Sequence, residues 1–314
     1  MSDDDAARMD RRQFVASISA LAAGCAVRPN DSLSTPAQPL FRISLAEWSL
    51  HRAIRSGALD HLDFPLTARR EYAIDGVEYV STLFKAHDEG YVRELKRRAG
   101  DAGATSLLIM CDGEGRLGDP DSALRSRAVS NHFKWLDAAV LLGCHSIRVN
   151  AESEGTSEEQ QVLVAAGLRA LCEAADARNL NVLIENHGGL SSDARWLTGV
   201  IRLAGHPRAG TLPDFGNFAP SDIAPAAPDR YEGVRQMMPW AKAVSAKSHA
   251  FDAAGNETAI DFRRMLDIVV NSGYCAWVGV EYEGEGLSEP EGIRATRALL
   301  ERVRDDLQGR RGRS

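Results

Sequence analysis

The phrases NVLIENH (181–187), GTLPDFGN (210–217), AVSAKSH (243–249) and WVGVEYE (277–283) decide how this 314-residue chain is read. Each is a short β-type run that closes on a ligand-type side chain: Glu185, Asp214, His249 and Glu281. Successive members lie 29, 35 and 32 residues apart. That is about one strand-plus-helix unit of a (β/α)₈ barrel, which builds eight units from roughly 250 residues. In such a barrel the C-terminal strand ends converge on one face, where active sites form. Three carboxylates and one imidazole gathered there make a site for a divalent metal.

Working outward, short apolar runs alternate with longer amphipathic segments from residue 40 onward, the pattern of βα units around a parallel sheet. Strands are expected at 41–46, 76–81, 105–111, 146–150, 181–186, 210–214, 243–249 and 276–282. Helices are expected at 122–143, 156–179, 261–273 and 290–307, with a turn and a helix within 51–75. Thr156 with its acidic followers, Pro290 and Gly143 supply cap and terminus signals. A doubly wound open sheet has the same alternation. It is disfavoured because no GxGxxG follows the first strand, and because a closed ring brings four successive strand ends together more easily.

The composition is 44% hydrophobic and 26% charged, ordinary for a soluble globular chain. The formal net charge of −7 argues against a nucleic-acid partner. Residues 1–27 contain Arg11-Arg12-Gln13-Phe14 before a short, mildly apolar run, which resembles a twin-arginine export signal. Ala22-Ala23-Gly24-Cys25 resembles a lipoprotein box, with ordinary cleavage and retention as its alternatives. The expected location is therefore periplasmic or membrane-anchored, with membrane contact only through a lipid on Cys25. Residues 28–39 read as a linker, 40–307 as the barrel domain and 308–314 as a basic tail. Cys111, Cys144, Cys172 and Cys275 form no CxxC pair, and buried free thiols are the default reading. A homo-oligomer is left open.

The phrases VLIENH, LPDFGNF, KSHAFD and VGVEYEG together resemble the xylose isomerase-like TIM-barrel superfamily, and within it the sugar phosphate isomerase/epimerase family. IDGVEYVS and LGCHSIRVN fit the same pattern, so the resemblance spans about 40–307. It implies that Glu185, Asp214, His249 and Glu281 bind one divalent ion (Mn, Mg, Co or Zn). It also implies that Glu185 and Glu281 act as the proton-transferring pair. The three-zinc endonuclease branch is disfavoured, since only His187 and His249 of the eight histidines lie in the late strand-end motifs.

The resemblance places His187 against the substrate, with a structural role as the competing reading. Arg148 and Lys247 are candidate contacts to substrate oxygens or to a developing enolate, at even odds with structural salt bridges. Trp48, just after the first strand, is a candidate apolar wall for a sugar ring; lid or core packing competes. The expected activity is isomerisation or epimerisation of a sugar or related polyhydroxy-carbonyl compound. A lyase acting on a keto-inositol or 3-keto-glycoside is the alternative. A carbohydrate-binding barrel without turnover is the alternative of another class.

Overall fold

Each of the eight short runs expected from the sequence has folded as a strand. The computed structural model describes residues 39–218 and 229–312. The strands are β1 (Arg42–Ala46), β2 (Gly76–Val80), β3 (Thr105–Met110), β4 (Ser146–Val149), β5 (Asn181–Glu185), β6 (Ala209–Leu212), β7 (Val244–Ser248) and β8 (Trp277–Tyr282). All pairings are parallel, in the order β6-β5-β4-β3-β2-β1-β8-β7. Parallel bridges Thr211–Ala241 and Asp214–Ser245 join the two ends of that order. The protein is thus an α/β TIM barrel of eight parallel strands, with helices between them.

Side chains on a strand alternate between faces. The outward set is apolar and fully buried under the helices: Val77, Tyr79, Ile109, Ile147, Val182, Ile184, Val278 and Val280. The inward set is unusually polar. Ser44, Glu78, Arg148, Glu185, Ser245, Lys247 and Glu281 are all at most 5% exposed. Buried polar groups must be paired to be tolerated, so this interior is organised around its charges.

The helix expected over 122–143 is two helices, Ser122–Asn131 and Phe133–Leu142. The break has a local cause. The His132 ring nitrogen Nδ1 lies 2.7 Å from the Ala128 carbonyl, the partner a regular helix would give the His132 backbone N–H. That N–H turns instead to the Val129 carbonyl at 3.2 Å. The second helix ends at Gly143, at φ 82°, as the C-terminal glycine signal implies. The last helix runs Glu289–Arg311 and puts Arg310 and Arg311 in its final turn, where positive charge suits the helix dipole. Of the cysteines, Cys111, Cys144 and Cys172 are buried and free, and Cys275 is exposed. The export signal, Cys25 and all of the expected linker but Pro39 lie outside the described residues. Among the described residues, no helix is long and apolar enough to cross a membrane.

Candidate metal and substrate site

Three strand ends bring three acids together. Glu185 closes β5, Asp214 follows β6 and Glu281 lies near the end of β8. One carboxylate oxygen from each falls within 4.8 Å of the others, and all three side chains are buried. Asp214 is held rigidly. Its Oδ1 accepts from the Gly216 and Asn217 backbone N–H groups, both at 2.8 Å. Its own N–H donates to Asn186 Oδ1 at 2.8 Å.

His249, the expected fourth ligand, does not join them. β7 ends at Ser248, one residue too early for the inward alternation to reach His249. The chain then bends toward Glu257, whose Oε1 lies 3.4 Å from the His249 N–H, and His249 itself is exposed. The inward position of β7 beside the acids is held by Ser245 instead. Its hydroxyl lies 2.6 Å from Asp214 Oδ2 and 2.8 Å from Glu281 Oε2. One hydroxyl carries one hydrogen, so only one contact can be its donation and the other needs a proton on the carboxyl. The pKa directions agree. Burial pushes Asp214 up despite Lys247. Burial also raises Glu281, but Lys247, the Ser245 hydrogen bond and Arg148 outweigh it and hold that acid down.

Two buried cations face the acids. Arg148 Nε lies 2.9 Å from Glu185 Oε2, and its Nη1 donates to Asp112 Oδ1 at 2.6 Å. The first contact is an ion pair without hydrogen-bond alignment, since Nε has no hydrogen-bond partner. Lys247 Nζ lies 3.2 Å from both Glu281 Oε1 and Glu283 Oε2. Asn217 links the two halves, donating to Glu185 Oε1 at 3.1 Å and accepting from Lys247 at 3.2 Å. Desolvation raises Glu185, partly opposed by Arg148 and reinforced by Glu281. Lys247 is raised despite its own desolvation, because Asp214, Glu281 and Glu185 surround it. Deeper in the barrel, Glu78 Oε1 accepts from Ser44 at 2.5 Å and Oε2 has no partner. Burial lifts the Glu78 carboxyl to about 7, although the Ser44 hydrogen bond lowers it.

Above the acids opens a cavity of about 350 Å³, with Glu281 and Arg148 in its floor. Trp48, Met110, Asn150 and His187 stand in its walls, and Arg55 and Glu283 line it too. Trp48 stacks on His51 at 4.5 Å, and the Arg55 guanidinium lies 4.8 Å above its ring. The His187 backbone N–H donates to Ser191 Oγ at 2.9 Å. Its ring is held below the usual imidazole range by desolvation first, then by the Arg148 and Lys247 charges. Thus Glu281, Arg148, His187 and Trp48 meet in one cavity, with Lys247 beneath them, while His249 stays apart. Sequence reasoning overlooked Asp112 and Ser245. Asp112 lies two residues past the end of β3, as Asp214 does past the end of β6, at the kind of strand-end position that flagged the other acids. Ser245 was marked only by the polar–apolar alternation of VSAKS.

The spacing of the three carboxylate oxygens fits a divalent ion. When bound, such an ion would supply Lewis-acid polarisation of a substrate oxygen.

Fold and site define a barrel whose polar chemistry is gathered at its strand C-termini. The chain belongs to the family described as Xylose isomerase-like TIM barrel, which matches residues 66–303. No curated protein matches the sequence. Among solved structures, L-ribulose 3-epimerase is similar with a TM-score of 0.69 at 16% identity, over 87% of this chain and 97% of that one. The IOLI protein with a bound zinc atom has a TM-score of 0.67 at 13% identity, over 85% and 99%. The 3-keto-D-glucoside 4-epimerase YcjR from E. coli has a TM-score of 0.63 at 15% identity, over 77% and 95%. At these identities the likeness is one of fold.

Proposed function

We propose that the protein is a divalent-metal-dependent isomerase or epimerase of a sugar or related polyhydroxy-carbonyl compound. The carrying observation is the convergence of Glu185, Asp214 and Glu281 beneath a polar cavity. Glu185 and Glu281 come from strands three places apart around the ring, so they flank a substrate from different sides. In this reading one removes the proton beside the carbonyl and the other returns one. Arg148 and Lys247 stabilise the negative charge that develops on the substrate oxygen. His187 hydrogen-bonds a substrate oxygen, and Trp48 packs on the C–H face of the sugar. The epimerase names of two structural neighbours support this class. The sequence resemblance to an export signal favours a neutral sugar or glycoside over a sugar phosphate, with a periplasmic or membrane-anchored location.

The test is C–H exchange in heavy water, followed by NMR, with Mn²⁺-loaded protein and a panel of ketoses and 3-keto-glycosides. Exchange with a new stereoisomer is expected, falling roughly 100-fold or more in Glu185→Gln and in Glu281→Gln. Loss of water or of an aglycone would move the assignment to a lyase. Binding with no exchange on any substrate would leave a carbohydrate-binding barrel.

A further inference from the structure

We propose that the donor set of this site is carboxylate oxygen without imidazole, with the Ser245 hydroxyl bracing Asp214 and Glu281 where a β7 imidazole was expected as fourth ligand. Resting on the metal-dependent reading above, it makes the site one for a hard ion, Mg²⁺ or Mn²⁺, rather than Zn²⁺. The argument begins with register. Ser245 is level with Asp214 on one side and with Gly279, two residues before Glu281, on the other. From there its hydroxyl touches both acids, at 2.6 and 2.8 Å. No other β7 side chain contacts both, and Lys247, the next inward residue, is a protonated amine with no lone pair to offer.

His249 is separated from the acids by the end of the strand, and its backbone is tied toward the Glu257 side of the loop. A second observation lies deeper in the barrel, beneath the acids. The buried Glu78 Oε2 has no hydrogen-bond partner, and its carboxyl feels the charges of both Glu281 and Glu185. Carboxylate oxygens suit Mg²⁺ and Mn²⁺, whereas imidazole nitrogen is what favours Zn²⁺. Ser245 therefore braces Asp214 and Glu281 in one geometry, and its loss loosens both.

The experiment uses the full chain, stripped with chelator and reloaded with Mn²⁺ alone. Pulsed electron paramagnetic resonance reads whether an imidazole nitrogen is bound to the ion. No imidazole coupling is expected, in wild type or in His249→Ala. Ser245→Ala should bind Mn²⁺ roughly 10–100-fold more weakly, the usual cost of removing a group that orients a ligand. Its thermal melt confirms that it folds. An imidazole coupling that vanishes in His249→Ala would overturn the imidazole-free set while leaving the metal-dependent reading intact. Unchanged Mn²⁺ affinity in Ser245→Ala would overturn the role of the hydroxyl. Failure of wild type to bind any divalent ion would sink both proposals together.

Discussion

Glu78 shows what a single side chain gains and loses inside this barrel. Its carboxyl is fully enclosed and lifted from 4.5 to about 7, chiefly by desolvation. Between those two values the folded chain keeps a proton that the unfolded chain has released. The contribution of Glu78 to stability is therefore full below pH 4.5 and is lost as pH rises through 7. Glu78→Gln keeps the neutral shape and removes the titration. Relative to wild type, the variant should gain about 3 kcal/mol between pH 4 and pH 8, because each tenfold change in proton affinity is worth about 1.4 kcal/mol. Urea denaturation in chelator across that range checks it, and parallel stability curves would rule it out. The acids of the site were legible because Glu185, Asp214 and Glu281 each close an apolar run. His249 does not join them in this structure, because the apolar-patterned run extends one residue past the strand itself. Backbone contacts of the 249–258 loop, invisible in one sequence, end β7 at Ser248.

At the scale of the element, the alternation of runs was enough to place all eight strands, with ends correct to a residue or two. The helices were harder, because caps and close approaches depend on neighbours distant in sequence. Gly167 is the clearest case. Within the helix Ser157–Asp176 it reads as a weak point, since glycine is worth about 1 kcal/mol less than alanine there. A methyl group at Gly167 would run into the backbone carbonyl of Leu117, in the loop after β3. The clash falls on backbone rather than on a flexible side-chain end, so it outweighs propensity. Gly167→Ala should destabilise by about 1–3 kcal/mol, the ordinary cost of overpacking. Gly100, in the helix Glu89–Ala102, has nothing within 4 Å of the added carbon. Gly100→Ala should therefore stabilise by about 0.5–1 kcal/mol. Thermal melts of the two variants side by side test the distinction. Equal and positive shifts would mean that the Leu117 loop yields freely.

For the whole molecule, the barrel has a seam, and the site lies across it. Seven strand pairs carry ladders, but β6 and β7 meet only through the bridges Thr211–Ala241 and Asp214–Ser245. Pro213 contributes to this: its carbonyl faces β7 and accepts from the Ser245 N–H, but it has no N–H of its own to add a bond on that side. Three backbone bonds join the two edges: Lys242 N–H to Thr211 O at 3.1 Å, Ser245 N–H to Pro213 O at 2.9 Å and Phe215 N–H to Ser245 O at 3.1 Å. Closure itself was only an expectation from the sequence, because pairing across the seam leaves no periodic signal. An ion held by Asp214 on one side and Glu281 on the other would tie that seam shut. A ligand present at 100 times its dissociation constant stabilises the fold by about 2.7 kcal/mol. The local effect should be uneven, since opening free energies vary across a structure. Mg²⁺ should slow amide exchange at Phe215 and Ser245 more than at Tyr79 and Ile109 in the longer β2–β3 ladder. Amide exchange followed by NMR, with and without Mg²⁺, reads this directly. Glu281→Gln should abolish the difference. Uniform slowing over the barrel would mean that the seam opens only when the whole fold does, and that its few bonds are not its weak point.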